Sequence, residues 1–206
     1  MVEESEPIRQ DLAMTDLIKV KSALRKTTIS RRDAMVHSVR TALSCAIVQQ
    51  VACLAPYRQA SVVMAYANFG SELQTEDFLH QVLDHGKTLV LPKVNREKKF
   101  LDLYEVRDLA RDLEPGTWSI PEPKVDLCVP VELGAVDFAL LPGAAFDTRG
   151  GRLGYGAGFY DKLLGSCVER PYLVAGAFET QMIQEVPLDQ HDVLVDLIVT
   201  ESRTYP

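Results

Sequence analysis

One junction constrains this chain more than any other feature. The apolar run Val136–Leu141 (VDFALL) feeds directly into a glycine-rich stretch, and a helical segment follows over about 158–166. A short apolar run bounded by turn residues reads as a buried strand. A loop leaving such a strand stands at its carboxyl end, where open α/β sheets bind ligands. Gly150, Gly151, Gly154, Gly156 and Gly158 fall within nine residues of this loop. Glycines in that density let the backbone turn sharply and approach a ligand closely. Successive amide N–H groups can then form an anion-binding concavity. Arg149 and Arg152 add guanidinium forks suited to phosphate. Phe159-Tyr160-Asp161 opens the helix, so a phosphate would also meet helix N-terminal amides. Asp161 is a carboxylate of the kind that holds Mg²⁺ beside phosphate. Taken as glycines alone, the stretch is equally a tightly turning surface loop. It is not a Walker A loop: Gly151 and Gly156 have the spacing, but Ala157 and Gly158 replace the Lys and Ser/Thr. Nor do the glycines match a dinucleotide fingerprint.

The rest of the 206 residues alternate strands with helices. Helical spacing predicts a helix over 14–27, with Leu17, Ile18, Ala23 and Leu24 apolar. It predicts a second over 31–54, with Ser30 as N-cap, Asp33 in a shortened capping box, and an apolar face from Met35 and Val36 to Val51. A third runs from a Thr75 cap to His85, with Gly86 as the stop. Strands are predicted at 61–66, 88–91 (closed by Pro92), 100–106, 136–141, 172–177 and 193–200. The stretch 114–124, rich in proline and glycine, reads as a loop. Residues 1–13 read as a flexible polar extension and 14–206 as a single domain. The expected fold class is α/β, a mostly parallel sheet flanked by helices.

Composition excludes some functions. A net charge of −7 lacks the basic footprint of a nucleic-acid binder. No apolar run approaches the roughly 18 residues of a membrane helix, and the polar N-terminus is not a signal peptide. Cys45, Cys53, Cys128 and Cys167 are scattered without a C-x-x-C pair, which implies buried reduced thiols and a cytoplasmic setting. Lys21 and Arg25, four apart, share one helix face. Two cations there suit a polyphosphate or form a solvated basic face.

Several ordered motifs together resemble one family. Leu140-Leu141-Pro142-Gly143-x-Ala145-Phe146-Asp147, followed by Gly151-Arg152-Leu153-Gly154-Tyr155-Gly156-x-Gly158-Phe159-Tyr160-Asp161, resembles the signature of 5-formyltetrahydrofolate cyclo-ligases. Lys21-x-x-x-Arg25, Ser71-Glu72-Leu73-Gln74-Thr75, Ile120-Pro121-Glu122-Pro123, Gln181 through Pro187, His191-Asp192 and Asp196 resemble further blocks of it. The resemblance covers about 180 residues. It implies a sheet architecture like that of sugar-phosphate isomerases and CoA-transferases. It also implies a monomeric enzyme that uses ATP and Mg²⁺ to convert 5-formyltetrahydrofolate into 5,10-methenyltetrahydrofolate, releasing ADP and phosphate. Its partners would be these small molecules, with no nucleic acid and no membrane.

By the same resemblance, ATP is bound by Lys21, Ser22, Ala23, Leu24 and Arg25, and by Arg152, Leu153, Gly154, Tyr155, Gly156, Ala157, Gly158, Phe159 and Tyr160. Arg152 and Lys21 are the implied catalytic cations. The folate is met by Arg25, Ala67, Glu72, Tyr155, Gly156, Ala157, Gly158 and Phe159, with Glu72 on the pterin ring. Mg²⁺ is held by Asp161 and Asp192. His191 is implied to position its loop. Tyr155 and Tyr160 stack on folate or pack locally, Trp118 lines the pocket or the core, and Arg149 is a phosphate contact or a solvated charge. Ala157 and Phe159 depart from the family's usual Lys or Gly and Tyr. A non-catalytic relative that only binds folate or nucleotide is the main alternative.

Overall fold

The structure, a computed structural model, describes residues 6–167 and 169–206, and only the backbone of 6–15 and Trp118. In chain order the helices are α1 (Glu6–Asp33), α2 (His37–Cys53), α3 (Ala55–Gln59), α4 (Glu76–Asp84), α5 (Leu109–Asp112) and α6 (Phe159–Gly165). The strands are β1 (Val62–Met64), β2 (Thr88–Asn95), β3 (Phe100–Val106), β4 (Leu113–Pro115), β5 (Pro121–Pro123) and β6 (Val129–Pro130), then β7 (Phe138–Leu141), β8 (Ala145–Phe146), β9 (Arg152–Leu153), β10 (Tyr172–Gly176), β11 (Leu197–Val199) and β12 (Thr204–Tyr205).

Eight strands form one sheet in the order β12-β11-β10-β7-β1-β2-β3-β6. The five from β11 to β2 are parallel, and the flanking pairs are antiparallel. The expected α/β class is what the chain adopts. Side chains alternate across the sheet with period two. Val63, Leu89, Leu91, Phe138, Leu140 and Val174 face a core shared with Ile47, Val51, Phe78 and Val82 of α2 and α4. Met64, Val90, Ala139, Leu141, Leu173 and Ala175 face a second core with Leu163 and Leu164 of α6. Each fully buried Leu, Val or Phe contributes about 1.5–3 kcal/mol of transfer free energy. Parallel pairing directs the ends of β1, β7, β10 and β11 to one edge, and the loops leaving that edge carry the motif side chains described below.

Several boundaries differ from expectation. The first helix starts at Glu6, so residues 6–13, expected as an extension, are its first turns; residues 1–5 lie outside the described residues. It also runs through Ser30, which caps nothing. The chain turns instead at Ala34–Val36, and α2 starts at His37. Asp33 makes no capping box; it accepts the Ser71 hydroxyl. Ile18, Val36 and Val39 are exposed rather than buried.

Thr75 stands at the expected N-cap position of α4, but its side chain makes no capping bond, because its hydroxyl donates to the Tyr66 carbonyl at 2.6 Å. β2 passes through Pro92 to Asn95. Its parallel register with β1 ends at Val90, so the missing N–H of Pro92 interrupts no pairing on that side. The expected loop at 114–124 contains the hairpin β4–β5. Residues 193–196 are not strand, because the backbone there is bonded elsewhere: the Val195 N–H to the Gly150 carbonyl, the Asp196 N–H to that of Leu173. Only Cys128 is buried; Cys45 and Cys53 are exposed, so burial was the wrong expectation for them. Among the described residues no helix is long and apolar enough to cross a membrane.

Candidate active site

The glycine loop is built on the short antiparallel pair β8–β9. Asp147 sets its turn. Its buried carboxylate accepts the N–H groups of Arg149, Gly151 and Val186 at 2.7–3.0 Å. Burial alone would raise this carboxyl, yet those donors and the nearby Arg149 hold it below its ordinary value. Gly150 has φ +80°, and a Cβ there would stand 2.4 Å from the Val195 carbonyl oxygen, so only glycine fits. Buried Gln181 supports the start of the loop, its side-chain amide donating to the carbonyls of Gly143 and Ala144 at 2.9 and 3.2 Å.

Arg152 turns inward and is 3% exposed. It donates to Asp161 at 2.6 Å and to the Pro142 carbonyl at 3.3 Å. Its guanidinium lies 5.8 Å from the centre of the Tyr160 ring, while its buried Nε has no partner among the described residues. Asp161 also accepts the Val193 N–H at 3.3 Å, which brings it beside Asp192. Asp192 in turn accepts from Lys21 at 2.5 Å, and Asp189 accepts from Lys21 at 2.7 Å. Four charges from four segments thus form a chain, Arg152–Asp161 and Asp192–Lys21, joined through residues 192–193. Burial works against the Lys21 ammonium, but its hydrogen bonds to Asp189 and Asp192 prevail and raise it above its usual value.

Arg25, one turn after Lys21, donates from Nε to the Gly154 carbonyl at 2.7 Å. Gly156, at φ +104°, faces its guanidinium. Ser22 and Ala23 are exposed and Leu24 packs against Ala145, Leu153 and Val186. Mid-helix backbone amides are bonded within the helix, so of the run 21–25 the side chains of Lys21 and Arg25 are those turned to the loop. Leu153 is buried, and Phe159 and Tyr160 pack against the second core. Ala157 is exposed, and Gly158 (φ +65°) precedes α6 with open space around it. Arg149 is a surface charge paired with Glu185 at 2.8 Å. His191 is exposed, and its backbone N–H donates to Asp189 at 2.9 Å.

Glu72 lies in the turn after β1 and is 6% exposed. It accepts the Phe69 N–H at 2.8 Å, with the Tyr155 phenol close by. Burial raises its carboxyl above the ordinary value, against the opposing pull of these donors and of Arg32. Tyr66, Tyr155 and Tyr160 lie within electrostatic reach of it, and burial pushes all three phenols up. A neighbouring cavity of about 480 Å³ is lined by Ala67, Asn68, Thr75, Leu113, Pro115 and Pro121, among others. Ala67 is in its lining and Glu72 is not, so the cavity does not bring these two expected folate contacts together. The Trp118 side chain lies outside the described residues.

Sequence reasoning missed Arg32, Tyr66 and Asp189, and named Ser71 only as part of the Glu72 motif. Asp189 carries a local signal, since it stands three residues before Asp192 and accepts from the same lysine.

A profile of the 5-formyltetrahydrofolate cyclo-ligase family matches residues 17–201. The chain belongs to this family. The 5-formyltetrahydrofolate cyclo-ligase of Mus musculus is 28% identical over 199 residues, covering 93% of this chain and 98% of that protein. That of Escherichia coli K12 is 28% identical over 151 residues, covering 73% and 83%. The NMR structure of the Aquifex aeolicus 5,10-methenyltetrahydrofolate synthetase superposes with a TM-score of 0.80 at 32% identity, covering 90% of this chain and 92% of that one. The Mycoplasma pneumoniae synthetase shares the fold, with a TM-score of 0.71 at 22% identity. Lys21 of α1, Arg152, Asp161 and Asp192, all expected from the motifs, stand together in the structure.

Proposed function

We propose that this chain is a cytoplasmic, monomeric cyclo-ligase that converts 5-formyltetrahydrofolate into 5,10-methenyltetrahydrofolate with ATP and Mg²⁺, releasing ADP and phosphate. The observation that carries this reading is the charge chain Arg152–Asp161 and Asp192–Lys21, assembled beside a glycine loop. A buried guanidinium with an unpartnered Nε is suited to a phosphate oxygen. Asp161 and Asp192 suit a magnesium ion, which takes one or two carboxylates and completes its shell with phosphate and water. Mg²⁺ held there would neutralise phosphate charge.

The reaction needs a poor leaving group converted into a good one. The formyl oxygen of the substrate takes the γ-phosphoryl group of ATP and ADP departs. N10 then attacks the activated formyl carbon, and phosphate leaves as the five-membered ring closes. Such chemistry asks the protein for positioning and charge stabilisation rather than for a strong base. Arg152 and Lys21 supply positive charge for the phosphoryl oxygens. Arg25 holds the loop through Gly154 and extends that cationic face. The amides that open α6 have no intrahelical acceptor and point to the same loop. Glu72, whose buried carboxyl already accepts the Phe69 N–H, would accept the paired N–H and amino group of the pterin. Tyr155 borders that carboxylate.

The test is direct. Purified protein mixed with 5-formyltetrahydrofolate, Mg²⁺ and ATP is expected to develop the near-ultraviolet absorbance of the methenyl product, and not without ATP. Absence of any ATP-dependent signal contradicts the reading.

A further inference from the structure

The inward stripe of α1 does not stop at Arg25. Thr28 and Arg32 continue it at helical spacing, and both are buried, at 1% and 3% exposure. Arg32 donates from Nε to the Ser71 hydroxyl at 2.9 Å and from a terminal nitrogen to the Tyr155 hydroxyl at 2.8 Å. Ser71 donates onward to Asp33. One side chain therefore joins three segments: the end of α1, the turn that carries Glu72, and the tip of the glycine loop.

The join has a mechanical consequence. Tyr155 stands between Gly154 and Gly156, and a residue flanked by glycines has wide backbone freedom. Its hydroxyl is nevertheless held by Arg32, whose Nε donates to Ser71, the neighbour of Glu72. Arg25 holds the same loop one residue earlier, at the Gly154 carbonyl. The glycine loop and the turn that carries Glu72 are thus linked through the Arg32 guanidinium and the Tyr155 phenol.

We propose that Arg32 is a positioning residue that locks the glycine loop onto the Glu72 turn through the Tyr155 hydroxyl, so that nucleotide and folate bind cooperatively. The proposal rests on the functional reading above. Whichever ligand binds first orders the Tyr155 link, and the second then meets a loop already ordered, which gives positive coupling. Because coupling is reciprocal, it is measurable from either side.

The experiment is calorimetric titration of the full chain with β,γ-imido-ATP and Mg²⁺, with and without saturating 5-formyltetrahydrofolate. The ratio of the two Kd values for one protein cancels any uniform loss of affinity. The wild-type ratio is expected to be about 5 or more, the lower end of ordinary allosteric coupling. Tyr155→Phe removes only a hydroxyl from a half-exposed ring, and Arg32→Lys keeps the charge without the fork. Each is expected to bring the ratio close to 1, and the double variant to do no more than either single one. Near-ultraviolet circular dichroism identifies a variant that has not folded, and Tyr155→Phe then carries the test. A Tyr155→Phe protein with the wild-type ratio, single losses that multiply in the double variant, or a wild-type ratio of 1 overturns the proposal while leaving the functional reading intact. Wild-type protein that binds neither ligand contradicts both.

Discussion

Lys21 in the first helix and Asp192 in the C-terminal loop are 171 positions apart and meet at 2.5 Å. Asp189 accepts from the same ammonium. Removing it, as in Lys21→Met, leaves two adjacent carboxylates without their cation. Both are partly exposed, so the expected loss of stability is about 1–3 kcal/mol, below that of a fully buried pair. The sign with pH follows. Lys21 holds the Asp189 carboxyl below its ordinary 3.8, so the stabilisation is present above that value and is lost as pH falls through the depressed one. Lys21→Met is therefore expected to flatten the acid limb of the stability curve, and Mg²⁺ to raise its Tm more than that of the wild type. Thermal melts from pH 2 to 7, with and without Mg²⁺, check both. An unchanged acid limb contradicts the pairing.

Asp161 is paired with a buried guanidinium. Asp161→Ala strands that charge, at an expected cost of about 3–5 kcal/mol, and would confuse loss of fold with loss of function. Asp161→Asn keeps an oxygen for the Arg152 and Val193 donors. It is expected to retain more stability than Asp161→Ala and to lower kcat at least about 100-fold, the effect of losing one electrostatic contact to the transition state. Activity close to that of wild type removes Asp161 from the metal site.

Glu72 sets stability against function. Its carboxyl is raised by burial, so the native state binds a proton more tightly than the unfolded chain, and stability falls as pH rises from the ordinary glutamate range through the raised value. Glu72→Gln removes that fall while keeping an oxygen for the Phe69 N–H. The variant is expected to be as stable as wild type or more so at pH 7, relatively less so near pH 4, and to raise the KM for the folate at least about tenfold, the loss of one charge-assisted hydrogen bond. A Glu72→Gln protein with wild-type KM would exclude Glu72 as the pterin contact.

Two glycines separate loop strain from loop collision. At Gly158 a side chain meets nothing within 4 Å, so Gly158→Ala bears only the left-handed φ, about 1–2 kcal/mol. At Gly150 a Cβ would also strike the Val195 carbonyl. Gly150→Ala is expected to be the more destabilised of the two and to loosen residues 193–195, read by faster amide exchange there.

Much of the architecture was legible in the chain. The apolar strands around Val63, Leu89, Phe138 and Val174, the turn at Gly86 and the junction after Leu141 all fall where period and turn chemistry put them. Family motifs carried Lys21, Arg25, Glu72, Arg152, Asp161 and Asp192 to one end of the sheet. The first helix was harder because its inward stripe is polar. Lys21, Thr28 and Arg32 are buried while Ile18 is 60% exposed, which inverts the pattern that hydrophobic periodicity reads. Placing a cap at Ser30 then cut Arg32 off from Arg25, seven residues earlier on the same stripe. Asp189 escaped because its role depends on Lys21, a contact that exists only after folding. The bonds of 193–196 to Gly150 and Leu173 are likewise invisible to a local pattern, and β-branched residues there imitate a strand.

The most direct test of the central claim is stoichiometric. One mixing of wild-type protein, 5-formyltetrahydrofolate, Mg²⁺ and ATP is followed at once for the methenyl product and for inorganic phosphate. The account predicts equal amounts of the two, both abolished by omitting Mg²⁺ or ATP. Methenyl product formed without phosphate release, or phosphate released at the same rate without the folate, would contradict it.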